Sequence, residues 1–489
     1  MNVTRLPVRL AADPRRVIAR PFVPGGPARI RAIVERVRAL PDAEVSSMLA
    51  TLVTDYRQRH KDIRGIFRQN YATALALGGE TPDANEERRL LLGAYFTLEY
   101  SLESVALFNP SMVLHPDQNG VAPGSARFIM SLRACGEGHI SSIEFRTGTV
   151  DAVQSVTMDP PTRFALTARP VDDALYDKES YSLKLVEMKA HRSFAEPIMA
   201  LLDNRFTTSD LKYAIERCRP QAQGGSATQF KELADNMLWL AHSNYELEFS
   251  PDADISERVI FPVSENESRG IEDARFVRFT YPDGRVAYYA TYTAYNGFRV
   301  LPQLIETTDF RHFKMNTLNG SCVQNKGMAL FPRKVGKQFM MASRLDGENI
   351  YLLGSDNIHF WNESKLIHGP KHPWEFIQVG NCGSPIETDE GWILLTHGVG
   401  PMRQYWLGAL LLDLDDPSRV IGELSEPLLV PNADERDGYV PNVVYSCGAL
   451  RHDDHLIIPY AVSDSHSSIA TVSIPDLLAS LRAAPAPVR

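Results

Sequence analysis

Within Ser268-Arg-Gly-Ile-Glu-Asp-Ala-Arg-Phe276, two carboxylates (Glu272, Asp273) and two guanidiniums (Arg269, Arg275) crowd around Gly270, just before a strand-like run that starts at Phe276. Two chemistries fit such a set. The acids and arginines neutralise one another as salt bridges, or one carboxyl holds a proton and delivers it to a leaving group. Proton delivery requires a protonated carboxyl. Burial raises the pKa of Asp273 and a neighbouring Arg275 lowers it, and the sequence leaves open which prevails. What separates the two readings is the set of residues brought to Asp273 from elsewhere in the chain.

From about residue 105 the chain is built of short strands and tight turns, and one unit recurs five times: a polar residue opens an apolar strand, a turn follows, and a second strand ends on a polar residue. The first strands start at Asn109-Pro-Ser-Met-Val, Asp273-Ala-Arg-Phe-Val, Lys326-Gly-Met-Ala-Leu, Asn381-Cys-Gly-Ser-Pro-Ile and Ser446-Cys-Gly-Ala-Leu. Gly/Asp-rich turns such as Pro-Asp-Gly284 and Asp-Glu-Gly391 are hairpin signals. Past residue 270 the spacing is roughly 50–65 residues, a blade-like period. The pattern predicts an all-β core folded as a five-bladed β-propeller. In that fold one end of every innermost strand faces the same mouth of a central channel. Asn109, Asp273, Lys326, Asn381 and Ser446 are then expected to meet Arg133, Thr293, Arg344, His397 and Asp464, which close the second strands. Such a pocket, polar and rich in cations, suits a polyhydroxylated ligand together with an anion. Tyr292, Tyr295, Tyr439 and Tyr445 are candidates to stack on a sugar ring.

Two helical parts flank this core. Val45, Met48, Leu49, Leu52, Val53 and Tyr56 share one helix face, Ile30, Ile33, Val34 and Val37 form a shorter stripe, and Asp42 between them is a candidate cap. Residues 1–100 are therefore expected to be a helical N-terminal extension, serving packing or an oligomer contact, and 101–480 the propeller. The long gap between the first two units predicts a helical insertion at about 185–245, packed with the N-terminal arm. Its signals are Phe230, Leu233, Met237 and Leu238 at helical spacing and capping-box patterns at Thr207–Asp210 and Ser226–Gln229.

Composition narrows the function. The 489 residues carry a formal charge of −9 with no concentrated basic face, which argues against nucleic acid as a partner. No apolar run approaches the roughly 18 residues that span a bilayer, and Met1 to Arg20 lacks the apolar core of a signal peptide. The five cysteines (Cys135, Cys218, Cys322, Cys382, Cys447) form no CxxC pair, so no structural zinc site and a reducing, cytoplasmic location are expected. His452-Asp-Asp-His455 sits on a hairpin turn and reads as solvated rather than as a metal cluster.

Gly270-Ile-Glu-Asp-Ala-Arg-Phe276 resembles the GxEDPR-type signature of glycoside hydrolase family 130, with Ala274 where proline is usual. Lys326-Gly-Met-Ala-Leu-Phe-Pro-Arg333 and Gly380-Asn-Cys-Gly-Ser-Pro-Ile-Glu-Thr-Asp-Glu-Gly-Trp392 resemble later blades of that family, over about 105–475 without the helical insertion. The resemblance implies a β-mannoside phosphorylase, of the kind acting on β-1,2-linked manno-oligosaccharides. Asp273 would be the general acid, acting through a sugar hydroxyl, and phosphate the inverting nucleophile that yields α-mannose 1-phosphate. It places Lys326, Arg344 and His397 at phosphate, Asn109, Ser111, Arg133 and Asp464 at sugar, and needs no metal or cofactor beyond phosphate as co-substrate. Gln378 stands where the family has a phosphate-binding lysine, and Arg403 is the residue placed to restore that charge. Two alternatives remain: a β-1,2-mannosidase using water, and a non-catalytic propeller that binds glycans or proteins.

Overall fold

The computed structural model describes residues 1–78, 85–188, 192–219, 226–298 and 300–483. Its core is β-rich, with two helical parts. Five antiparallel units follow one another along the chain. Unit one runs Ala106–Leu114, Ala126–Cys135 and Ser141–Val150. Unit two runs Gly270–Thr280, Val286–Tyr295, Val300–Thr307 and His312–Thr317. Unit three is Ala329–Leu330, Phe339–Ser343, Ile350–Ser355 and Glu363–His368. In unit four, Gln378–Asn381 and Ile386–Thr388 both pair with Gly391–Val399, followed by Tyr405–Leu412 and Val420–Glu423. In unit five, Val444–Tyr445 and Leu450–His452 both pair with His455–Val462, which is followed by His466–Ser473.

Alternation along each strand sends neighbouring side chains to opposite faces, so every unit feeds two cores. Phe276 and Tyr288 pack toward unit one with Phe145, whereas Val277 and Tyr289 pack toward unit three with Met341 and Leu353. Phe331 and Leu352 join unit three to Trp392 and Leu394 of unit four, and Ile393 and Leu395 join unit four to Ile458 and Val472 of unit five. The fifth cluster joins Leu450, Ile457 and Ile469 of unit five back to Met112, Phe128 and Met130 of unit one. The inter-unit cores thus follow a cyclic order.

The first hundred residues differ from the helical expectation at their ends. Helices Pro27–Arg38, Asp42–Tyr56, Ile63–Gly78 and Glu86–Tyr95 form, but Val3–Leu10 is a strand that pairs with His466–Ser473 and completes unit five. The alternation of Leu6, Val8 and Leu10 carries the reason: those side chains enter the core between units five and one. Val17–Pro21 pairs with Thr97–Ser101. Beside it, Arg16 and Arg146 are buried against Glu103 and Glu144, fastening the extension to unit one. Asp42 is the first helical residue rather than the cap, and its carboxylate pairs with Arg88.

The insertion comprises Lys178–Glu187, Arg192–Ala200, Thr208–Cys218 and Ser226–His242 around its own core. The capping box at Thr207 and Asp210 forms; the side chain of Ser226 lies outside the described residues. Trp239 bonds to Asn266 ahead of unit two, and Glu187 accepts from the Gly320 amide ahead of unit three, so the insertion is anchored on these units. His452 is also more buried than a solvated turn implies, with Nε2 within 3.1 Å of the Gly124 and Asp151 carbonyls.

Candidate active site

Two strand openings carry matching irregularities. The ladder of unit two shifts register between Glu272 and Arg275, and that of unit one between Phe108 and Ser111. At the shifts Asp273 (φ 54°) and Asn109 (φ 50°) adopt the left-handed region. That conformation is costly for most L-residues and least so for Asn and Asp. The bulges aim the two side chains at one another, and Asn109 Nδ2 donates to Asp273 Oδ1 at 2.6 Å.

Around this pair the charges are shared out in an order the sequence did not suggest. Arg133 Nη2 donates to Glu272 Oε1 at 2.8 Å while its Nη1 lies 3.4 Å from Asp273 Oδ1. Lys326 Nζ donates to the other Glu272 oxygen at 2.5 Å. Glu272 is thus the bridge that holds the cations of units one and three beside Asp273. Arg275 does not bond to the Asp273 carboxylate. It is buried and donates to the Cys382 carbonyl (2.9 Å), the Asp273 carbonyl (3.1 Å) and the Tyr445 hydroxyl (2.6 Å), tying units two, four and five. Burial pushes the Asp273 carboxyl up, but Arg133, Arg275, Lys326 and the Asn109 hydrogen bond outweigh it and hold the group below its ordinary value.

Next to Arg275 lies a second set of groups. The His397 ring packs 5.0 Å from Tyr445 and 5.8 Å from Tyr405. Burial, with Arg344 and Arg275 close by, holds His397 far below its ordinary pKa, so it is a neutral hydrogen-bonding group and not a cation. A Cβ at Gly380 would stand 2.5 Å from His397 Cε1 and 3.2 Å from Arg344 Cδ, so glycine there lets both side chains approach. Gln378 accepts from Arg344 Nη1 at 2.5 Å and donates to the Gly347 carbonyl at 3.3 Å. Arg344 Nε and both ring nitrogens of His397 are buried without a hydrogen-bond partner among the described residues. Donors left over in a buried polar wall are what an anion requires.

Asp464 (φ 48°) closes the cluster from unit five. Burial and the nearby Asp273 charge push its carboxyl up to about 6, against the pull of Arg133 and Arg403. The folded protein therefore holds this proton more tightly than the unfolded chain, and stability falls as pH rises from about 4 to about 6. Asp464→Asn should remove that slope. Its stability relative to the parent is expected to rise by about 1–3 kcal/mol between pH 4 and pH 7 in denaturant titrations. A difference that does not change with pH would contradict this.

Not every expected residue joins the open cluster. Ser111 is fully buried, and its hydroxyl accepts from the Phe276 amide at 3.0 Å. Ser446 is likewise fully buried, and Arg403 is exposed on its loop, 5.8 Å from the Tyr405 ring centre. Tyr292 cannot stack on a sugar, since it is buried and bonded to Glu267 and Gln303. The salt-bridge reading anticipated Glu272 as the partner of an arginine, but not its second bond to Lys326, nor Tyr405 as neighbour of His397.

A family model, Glyco_hydro_130, described as beta-1,4-mannooligosaccharide phosphorylase, matches residues 251–483. That span includes Asp273, Lys326, Arg344, His397 and Asp464, whereas Asn109 and Arg133 precede it. The chain is 35% identical over 221 residues to 1,2-beta-oligomannan phosphorylase of Thermoanaerobacter sp. (strain X514), covering 44% of this chain and 72% of the relative. It is 30% identical over 227 residues to Beta-1,2-mannobiose phosphorylase of Listeria innocua, covering 45% of this chain and 62% of that protein. The solved structure of the Listeria innocua enzyme with β-1,2-mannobiose aligns with a TM-score of 0.46 at 21% identity, over 79% of this chain and 94% of that one. With these motifs in their predicted order and more than two thirds of a relative matched at this identity, the chain belongs to glycoside hydrolase family 130.

Proposed function

We propose that the protein is an inverting glycoside phosphorylase that cleaves β-mannosides, β-1,2-linked manno-oligosaccharides first among them, with inorganic phosphate. The observation that carries this reading is the joining of Asp273, already paired with Asn109 and near Arg133, to a neighbouring wall of unspent donors on Arg344 and His397. The names of the relatives, oligomannan and mannobiose phosphorylases, support the substrate class. The cyclic order of the inter-unit cores supports a five-bladed propeller around the cluster.

In the reaction, a phosphate oxygen held by Arg344, Lys326 and His397 attacks the anomeric carbon. The bond to the leaving oxygen breaks, and that oxygen takes a proton from Asp273 by way of a sugar hydroxyl. The monohydrogen phosphate that attacked sheds its own proton as the ester forms, and this restores the acid. The products are α-mannose 1-phosphate and the shortened sugar. Phosphate is a co-substrate, no other cofactor is required, and the five buried free thiols suit a reducing cytoplasm.

One observation favours hydrolysis as the second reading. Water needs a carboxylate to activate it, and Asp464 is a second half-buried acid within electrostatic reach of Asp273. Incubation of β-1,2-mannobiose with and without phosphate decides between the two. Mannose 1-phosphate formed only when phosphate is present is the expected result, and mannose released at the same rate without it would overturn the proposal.

A further inference from the structure

Two loops next to the strands that bring Arg133 and Asp464 to the cluster meet in a contact that the reaction does not use. His139 lies in the short turn Glu137–His139, which follows the strand bearing Arg133, and Tyr439 lies ahead of Val444–Tyr445. Their rings are 5.7 Å apart with planes at 31°, and the Tyr439 hydroxyl is 3.5 Å from His139 Nδ1. Both are exposed, Tyr439 at 58%. The Val440 amide donates to the Ser463 carbonyl, and a Cβ at Gly438 would stand 2.3 Å from that oxygen. Tyr439 therefore rises beside Asp464, between the fifth unit and the first.

The turn under His139 is strained and is held from outside the five units. Gly138 (φ 66°) and His139 (φ 59°) are consecutive left-handed residues. Tyr100, buried on the strand Thr97–Ser101 of the N-terminal extension, places its hydroxyl 2.8 Å from the Glu137 carbonyl and 3.1 Å from that of Ile140. Gly136 lies so close to this strand that a Cβ there would be 2.3 Å from the Ser101 carbonyl. The extension is thus the scaffold of the turn that presents His139.

We propose that the N-terminal extension, through Tyr100, builds an outer sugar platform from His139 and Tyr439, and that this platform binds residues of an oligosaccharide beyond the first two. The chemistry fits a sugar: tilted aromatic faces take the apolar C–H side of a pyranose, while the phenol and imidazole edges bond its hydroxyls. The position fits as well, because Tyr439 stands beside Asp464 and His139 follows the strand bearing Arg133, and both Asp464 and Arg133 act on Asp273. The inference rests on the proposed function for its ligand class.

The test compares β-1,2-mannobiose with β-1,2-mannotetraose. The wild-type protein should show the higher kcat/KM on the tetraose. Tyr439→Ala should lower the tetraose-to-biose ratio of kcat/KM about fivefold or more, through KM for the tetraose, and Tyr439→Phe should restore most of it. Tyr100→Phe keeps the ring and deletes only the hydroxyl, and should move the ratio in the same direction. A ratio unchanged in Tyr439→Ala overturns the platform, and one changed there but not in Tyr100→Phe overturns the role of the extension. If cleavage proves independent of phosphate, the phosphorylase reading falls, yet the same ratio measured on mannose release still tests the platform. If no cleavage occurs, the ratio of calorimetric Kd values for the two sugars tests it instead.

Discussion

Asp273→Asn is expected to lower kcat for phosphorolysis about 10³-fold while leaving the affinity for manno-oligosaccharide within several-fold of the parent. Asparagine matches aspartate in size and still offers an oxygen to Asn109 Nδ2, and Arg133 keeps its bond to Glu272, so the sugar-facing groups stay in place. What disappears is the transferable proton. The substitution also deletes a negative charge set among Arg133, Arg275 and Lys326. Because the folded-state pKa of Asp273 is depressed, its charge stabilises the native protein above the ordinary carboxylate pKa, a contribution lost as pH falls through the folded value. The variant should accordingly be less stable near neutral pH, and its fold should be checked by denaturant titration beside the rate measurement. Turnover near the parent rate would show that Asp273 is not the acid. Sugar binding without turnover in the unmodified protein would leave only the non-catalytic reading.

The positions at which polar groups interrupt apolar strands were legible because the strand pattern is local, and Asn109, Arg133 and Asp273 do meet. The destinations of individual charges were not. In a regular strand Asp273 and Arg275 would share a face, which is why a salt bridge between them stood beside the acid reading. The bulge between Glu272 and Arg275 breaks that alternation, and Arg275 turns to the Cys382 carbonyl and Tyr445 of two other units. Glu272 as bridge depends on three units coming together, which no local spacing encodes. The strand Val3–Leu10 is a different case. Its alternation is plain in the sequence, but its partner lies at the other end of the chain, at His466–Ser473. The polar positions of Ser111 and Ser446 were equally visible, and only the packed strands reveal both as buried floor.

Arg344→Met should raise KM for phosphate about 10–100-fold with a much smaller change in KM for the sugar, the loss of one or two charge-assisted hydrogen bonds. Arg344 is chosen because it is the phosphate ligand with the most charge to give. His397 brings a hydrogen bond without charge, Lys326 shares its charge with Glu272, and Gln378 adds no charge but takes one Arg344 donor, so Arg344, with Nε still unpartnered, carries most of the charge offered to the anion. Phosphate held there also changes the acid. The cations that keep Asp273 ionised are offset by an incoming dianion, so the Asp273 pKa must rise when phosphate binds, and the proton needed for catalysis arrives with the nucleophile. Phosphate binding to the parent protein should therefore take up protons, seen as a calorimetric enthalpy that varies with the ionisation enthalpy of the buffer, and Asp273→Asn should abolish that dependence. Uptake that persists in Asp273→Asn would assign the proton to Asp464 or to phosphate itself. An equal rise of both KM values in Arg344→Met would mean that Arg344 shapes the whole pocket rather than the anion site.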